Sequence, residues 1–126
     1  MRTIGASAEE RSLIIGIHLA GIRELAVVMH TDCGNSLARQ RIDSIIEGLQ
    51  RTMGREELEA LKARTGQAWP AGLIAFLKAF DDPRDAVRAE VESIKARPFV
   101  PADMVVHGLV YNLETGALDL VVNGYR

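Results

Sequence analysis

The chain is short of almost everything that would tie it to a specialised environment. Its 126 residues include one cysteine, Cys33, so no intrachain disulfide can form, and a reducing, cytoplasmic setting is the simplest expectation. It lacks an excess of charge of either sign: the net charge is -2, the pI is near 5.9 and both signs are mixed along the chain. That pattern excludes the strongly basic character of a nucleic-acid or anionic-membrane binder. It also lacks a long apolar run. The most apolar region, Leu13 to Met29, is cut by Arg23-Glu24 and falls short of the roughly 18 uninterrupted residues of a membrane span. Met1 to Gly5 does not have the tripartite form of a secretory signal. There is no internal repeat, low-complexity tract or long linker.

What is present is ordinary globular material, 48% hydrophobic and 25% charged, enough for one compact domain over residues 1–126. Ser7-Ala8-Glu9-Glu10 has the form of a capping box, so a helix is expected from about Ala8 to Ala20. Leu13, Ile14 and Ile17 fall on one face, and Gly21 suits the left-handed position after the helix. Leu25 to Met29 is apolar throughout and reads as a strand buried on both faces, as in a parallel sheet. Ser36 is expected to cap a helix running to about Thr52, with Ile42, Ile45, Ile46 and Leu49 as its apolar stripe. Gly54 breaks it, a second helix covers about Glu56 to Arg64, and Trp69-Pro70 opens a third short segment. Trp69 reads as a packing anchor.

Asp82-Pro83 starts a further helix, with Asp82 as cap and Pro83 at the first helical position. Val87, Val91 and Ile94 form its buried face up to Arg97. Met104 to Val110 is a second apolar strand, Glu114-Thr115-Gly116 a tight turn, and Ala117 to Val122 a strand that pairs back as a hairpin. Gly108 and Gly116 read as backbone requirements, close approach in the strand and positive φ in the turn. The order implies an α/β fold: a small, mostly parallel sheet with an antiparallel edge hairpin strand, flanked by helices. So small a sheet leaves an edge uncovered, which natural proteins cover or pair. Homodimerisation or a higher oligomer follows as an expectation.

One short run stands out, His30-Thr31-Asp32-Cys33-Gly34, at the end of the first apolar strand. Taken singly, Cys33 is a small hydrophobe and His18 and His107 are ordinary satisfied imidazoles. Together with Arg11-Ser12-Leu13, Leu19-Ala20-Gly21-Ile22-Arg23-Glu24, the Pro83 to Pro98 stretch and Val106-His107-Gly108-Leu109-Val110-Tyr111-Asn112 with Thr115-Gly116-Ala117-Leu118, the run resembles the β-class carbonic anhydrases, in matching order and spacing from Arg11 onward. The helix-rich stretch Ile42 to Phe80 resembles the insertion of the small bacterial and archaeal members. The resemblance implies zinc as cofactor, His30 and Cys33 as two metal ligands, CO2 and bicarbonate as substrates, and a lyase reaction. Asp32, His18 and His107 are the remaining candidates for a third ligand, and Asp32, adjacent to the pair, is a candidate for a weak one.

The departure from the family pattern is equally specific. The family's first cysteine belongs to a Cys-x-Asp-x-Arg motif whose aspartate and arginine form a dyad beside the metal-bound water. This chain has no such motif and no second cysteine. Arg2-Thr3-Ile4-Gly5-Ala6 resembles a remnant of the family's Arg-Asn-Ala-Gly-Gly segment. Zinc-hydroxide catalysis needs three protein ligands and one open position, so the chain reads as an incomplete site lacking the N-terminal segment, with no catalytic residue assignable. Two further readings stand beside the enzyme: a non-catalytic scaffold or regulatory relative, and a structural zinc-binding dimer that pools His30 and Cys33 from two chains.

Overall fold

The computed structural model describes residues 2–126. After a one-turn 3-10 segment at Ile4–Ala6, the elements are α1 (Glu10–His18), β1 (Glu24–His30), α2 (Gly34–Gln40), α3 (Ile42–Thr52), α4 (Arg55–Arg64), α5 (Ala71–Leu77), α6 (Pro83–Lys95), β2 (Val105–Tyr111) and β3 (Leu118–Val122). They form two compact units, residues 2–33 with 82–126, and residues 34–81. No helix among the described residues is long and apolar enough to cross a membrane.

The first unit is a three-stranded sheet in the order β1-β2-β3. β1 and β2 are parallel, with Val27 opposite Gly108 and Met29 opposite Val110. β2 and β3 are antiparallel, with a register irregularity at Gly108/Leu109. The expected α/β architecture with a mostly parallel sheet and an antiparallel hairpin strand is what the chain adopts.

α6 supplies the packing that the sheet requires. Val87, Val91 and Ile94 recur at helical spacing and are all fully buried, each stabilising the fold by roughly 1.5–3 kcal/mol relative to exposure. The helix starts where expected. Asp82 accepts a hydrogen bond from the Arg84 N–H at 2.9 Å, and Pro83 occupies the first turn, where its missing N–H costs nothing. Gly108 lets strand and helix approach: a Cβ there would stand 2.5 Å from Val87 Cγ1. Gly21 and Gly116 both have φ +74, the left-handed conformation that glycine reaches without a steric penalty.

Several expectations are corrected. β1 is buried on one face only: Val27 and Met29 are buried while Val28 is 45% exposed, because α6 packs on one face of the sheet. The apolar run therefore belongs to a strand covered on one face, and not on both. The Ser7 capping box does not form. α1 begins at Glu10 with Glu9 as its N-cap residue, and the Glu9 carboxylate turns to Arg11 and Ser12 instead. Ile14 is 40% exposed, so Leu13 and Ile17 alone carry the buried face. The helix expected from Ser36 to Thr52 is two helices, α2 and α3, separated at Arg41 (φ -115, ψ 34).

In the second unit, Asn35 is buried and its side-chain amide donates to the Leu77 and Lys78 carbonyls at 3.2 and 3.4 Å. Trp69 is half-buried. Its indole N–H donates to Thr65 Oγ1 at 3.1 Å, and Lys62 Nζ lies 5.6 Å from the ring centroid.

Candidate functional site at the end of the first strand

His30 is the last residue of β1, and Cys33 follows after a two-residue turn. Asp32 makes that turn with φ +56, a conformation that aspartate tolerates better than most residues. The turn is anchored to the sheet: the Thr31 N–H donates to the Tyr111 carbonyl at 3.0 Å, and Thr31 Oγ1 accepts from the Leu113 N–H at 3.0 Å. The site thus sits at the carboxyl ends of the parallel strands, where open α/β sheets place their ligands.

His30 and Cys33 line one cavity of about 160 Å3, together with Val28, Met29 and four residues of the N-terminal segment, Arg2, Thr3, Gly5 and Ala6. The histidine is exposed and the thiol is 5% exposed. His30 Nδ1 lies 2.7 Å from the Thr31 carbonyl oxygen. A carbonyl only accepts, so Nδ1 carries the proton and Nε2 keeps its lone pair. Asp32 is exposed and does not line the cavity.

The other histidines are occupied. His18 Nε2 bonds the Phe99 carbonyl at 2.8 Å. His107 Nδ1 accepts the Gly124 N–H at 3.0 Å, so Nε2 bears the proton and donates to Glu24 Oε1 at 2.8 Å. Both ring nitrogens are committed, which leaves His107 no lone pair for a metal. Tyr125 OH donates to the same Glu24 oxygen, and its ring meets the His107 ring edge-on at 4.7 Å. Hydrogen bonds from Tyr125 first and His107 second hold the Glu24 carboxyl below the ordinary carboxylate value, while the bond to Glu24 raises the Tyr125 phenol above its ordinary value.

Sequence reasoning missed this Glu24–His107–Tyr125 cluster, because it joins three segments through register. It also missed Glu90, which is buried on α6, accepts the Ala8 N–H at 2.8 Å and lies 3.9 Å from Arg97. These contacts fix the chain just before α1. Arg97 Nη2 donates to the Ala8 carbonyl at 3.2 Å and reinforces the same anchor.

The donor set does not fit a complete zinc site. Among the described residues no three His, Cys, Asp or Glu side chains come together in a way that could hold a metal ion. Two neighbouring donors, His30 and Cys33, share the cavity, where the chemistry needs three.

No protein-family model matches the chain. Two Bacillus subtilis proteins that carry provisional carbonic anhydrase names do: YtiB, 33% identical over 117 residues, and YvdA, 31% identical over 116. The matches cover 92% of this chain in both cases, but 59% of YtiB and 56% of YvdA, so the chain spans little more than half the length of these relatives. Carbon disulfide hydrolase of Acidithiobacillus thiooxidans is 24% identical over 110 residues, covering 86% of this chain and 54% of that protein. Among solved structures, the β-carbonic anhydrase of Trichomonas vaginalis superposes with a TM-score of 0.71 at 25% identity, over 98% of this chain and 64% of that one. A carbonic anhydrase from Glaciozyma antarctica gives 0.70 at 27%, over 97% and 66%. Sequence, order of elements and three-dimensional arrangement agree, and the chain is β-carbonic anhydrase-like in sequence and in fold.

Proposed function

We propose that this protein serves the reversible hydration of CO2 to bicarbonate, and that this chain contributes part of the metal centre, His30 and Cys33. The observation that carries the reading is that these two side chains, three residues apart at a strand end, line one cavity. The imidazole is held by Thr31 with Nε2 available, and a backbone carbonyl is the kind of partner that orients metal-ligating histidines. The names of the relatives support CO2 as the substrate. Zinc, once held by a full set of donors, supplies the acidified water of such enzymes. The residues of this chain hold and orient: Thr31 fixes the imidazole, the bonds of Thr31 to Tyr111 and Leu113 fix the turn, and the apolar side chains of Val28 and Met29 wall the cavity. Hydration requires at least one donor more than this chain brings to the cavity.

The test is zinc content after loading and exhaustive dialysis, with CO2 hydration measured on the same samples. Zinc is expected to be held weakly, to be lost in His30→Ala and in Cys33→Ser, and to support no measurable hydration by the isolated chain. Equal zinc retention by wild type and both variants would remove His30 and Cys33 from the reading. Stable retention of one zinc per two chains would favour a structural site pooled by two copies. Hydration by the homogeneous chain would show that its donors suffice.

A further inference from the structure

The hairpin loop that follows β2 is stitched to itself except at one point. Asn112 heads it. Its N–H donates to the Ala117 carbonyl and its own carbonyl accepts from the Gly116 N–H, both at 2.8 Å. Its side-chain Oδ1 accepts from the Glu114 N–H at 2.9 Å and from the Thr115 N–H at 3.2 Å, the local bonding by which asparagine shapes a turn. Thr115 Oγ1 takes the Ala117 N–H at 3.2 Å. Of the amides of residues 113 to 117, that of Leu113 alone reaches out of the loop, and it donates to Thr31 Oγ1 at 3.0 Å. Register explains why it finds Thr31: His30 is paired with Tyr111, so the loop begins beside the turn that carries Thr31.

We propose that Asn112 is a positioning residue for His30: by shaping the loop it holds the Leu113 N–H on Thr31 Oγ1, and so fixes the Thr31 carbonyl that keeps the imidazole proton on Nδ1. The His30 side chain is exposed, so little packing orients the ring, and its tautomer depends on the Nδ1 bond to the Thr31 carbonyl at 2.7 Å. That carbonyl belongs to a turn under strain. Asp32, the next residue, has φ +56, and a non-glycine residue keeps such a conformation where its surroundings over-determine it. Two bonds from the end of β2 do so. The Thr31 N–H bond to the Tyr111 carbonyl comes from the strand pairing, and the Thr31 Oγ1 bond comes from the loop. Without the second, Thr31 is free to turn about the first, and its carbonyl swings away from the imidazole. Asn112 thus acts on His30 through Leu113 and Thr31, as the outer partners of a ligating histidine do. Its importance rests on the reading of His30 as a metal donor. Its geometry needs no metal, so either can fail without the other.

Nitrogen NMR of the His30 ring in the whole, metal-free chain tests the proposal, at about pH 8, above the range in which histidines ordinarily titrate. Wild type is expected to carry the proton on Nδ1. In Asn112→Ala the two tautomers are expected to mix, and the Leu113 amide to exchange about 10-fold faster as its bond loosens. Asn112→Asp keeps Oδ1 as an acceptor and is expected to restore both readouts. Asp82→Ala, which weakens α6 and touches neither loop nor turn, is expected to leave the tautomer as in wild type. A wild-type tautomer in Asn112→Ala overturns the proposal, as does an equal change in Asp82→Ala, or an Asn112→Asp protein that behaves like Asn112→Ala. Should Asn112→Ala fail to fold, Thr31→Val decides, since it removes the hydroxyl acceptor and keeps the branched shape. Mixed tautomers there support the brace, and an undisturbed Nδ1 proton overturns it.

Discussion

Gly108 lies directly beneath Val87: a Cβ added to the glycine would stand 2.5 Å from Val87 Cγ1, with Val91 Cγ2 at 3.2 Å and Val122 Cγ2 at 3.3 Å. β2 and α6 are therefore in contact closer than any other residue type allows. Val87 and Val91 are fully buried, and a β-branched side chain has few rotamers with which to yield.

Gly108→Ala is thus expected to cost about 1–3 kcal/mol through overpacking. Urea unfolding measures it. Val87→Ala should offset part of that loss, so that the double variant is more stable than the sum of the single effects predicts. Strict additivity would show that α6 shifts freely and that the contact is not restrictive.

At the N-terminus of the same helix, Asp82 caps α6 through its 2.9 Å bond from the Arg84 N–H. Asp82→Ala is expected to lower stability by about 1 kcal/mol, and Asp82→Ser to recover most of it. Thermal melts of the three proteins side by side provide the check.

The Tyr125–Glu24–His107 cluster predicts a pH dependence with a definite sign at each end. The Glu24 carboxyl is held below its ordinary value of 4.5, so its contribution is present above that value and is lost as pH falls through the lowered one. The Tyr125 phenol is raised above its ordinary value of 10.0, so its contribution is present below that value and is lost as pH rises through the raised one. The stability difference between wild type and Tyr125→Phe should therefore be flat from about pH 5 to 9 and shrink on both sides. In the variant the Glu24 carboxyl should titrate closer to its ordinary value, because Tyr125 is the larger cause of the shift. An unchanged Glu24 titration by carboxyl NMR would refute the assignment.

His30 and Cys33 make a prediction that stability measurements can separate from metal binding. Cys33 is a buried thiol, so Cys33→Ser should lower stability by about 1–3 kcal/mol through burial of a hydroxyl. His30 is exposed, and His30→Ala should change stability by less than about 0.5 kcal/mol. Loss of zinc in both variants with a stability loss in one alone would place the metal effect in the side chains and not in the fold.

Much of the architecture was legible in the residues, because it rests on short-range rules. Asp82-Pro83, Gly21 and Gly116 each meet a local requirement of capping or positive φ, and Val87, Val91 and Ile94 share a face by helical spacing alone. Ser7-Ala8-Glu9-Glu10 obeyed an equally good local rule and failed. The Glu90 carboxylate on α6 takes the Ala8 N–H, a contact 82 residues away that no local pattern reveals.

The sequence by itself determined the element types, the mixed sheet and the proximity of His30 to Cys33, since a two-residue turn keeps neighbours together wherever the strand lies. Only the tertiary structure decided what surrounds them. Packing of α6 buried Val27 and Met29 and left Val28 on the opposite face exposed, a difference that an unbroken apolar run does not record. Parallel register brought Glu24 to His107, and the anchoring of Ala8 by Glu90 and Arg97 fixed the chain that leads from Arg2–Ala6 at the cavity wall into α1. Those relations depend on distances between segments remote in sequence, and such distances are set by packing and not by pattern.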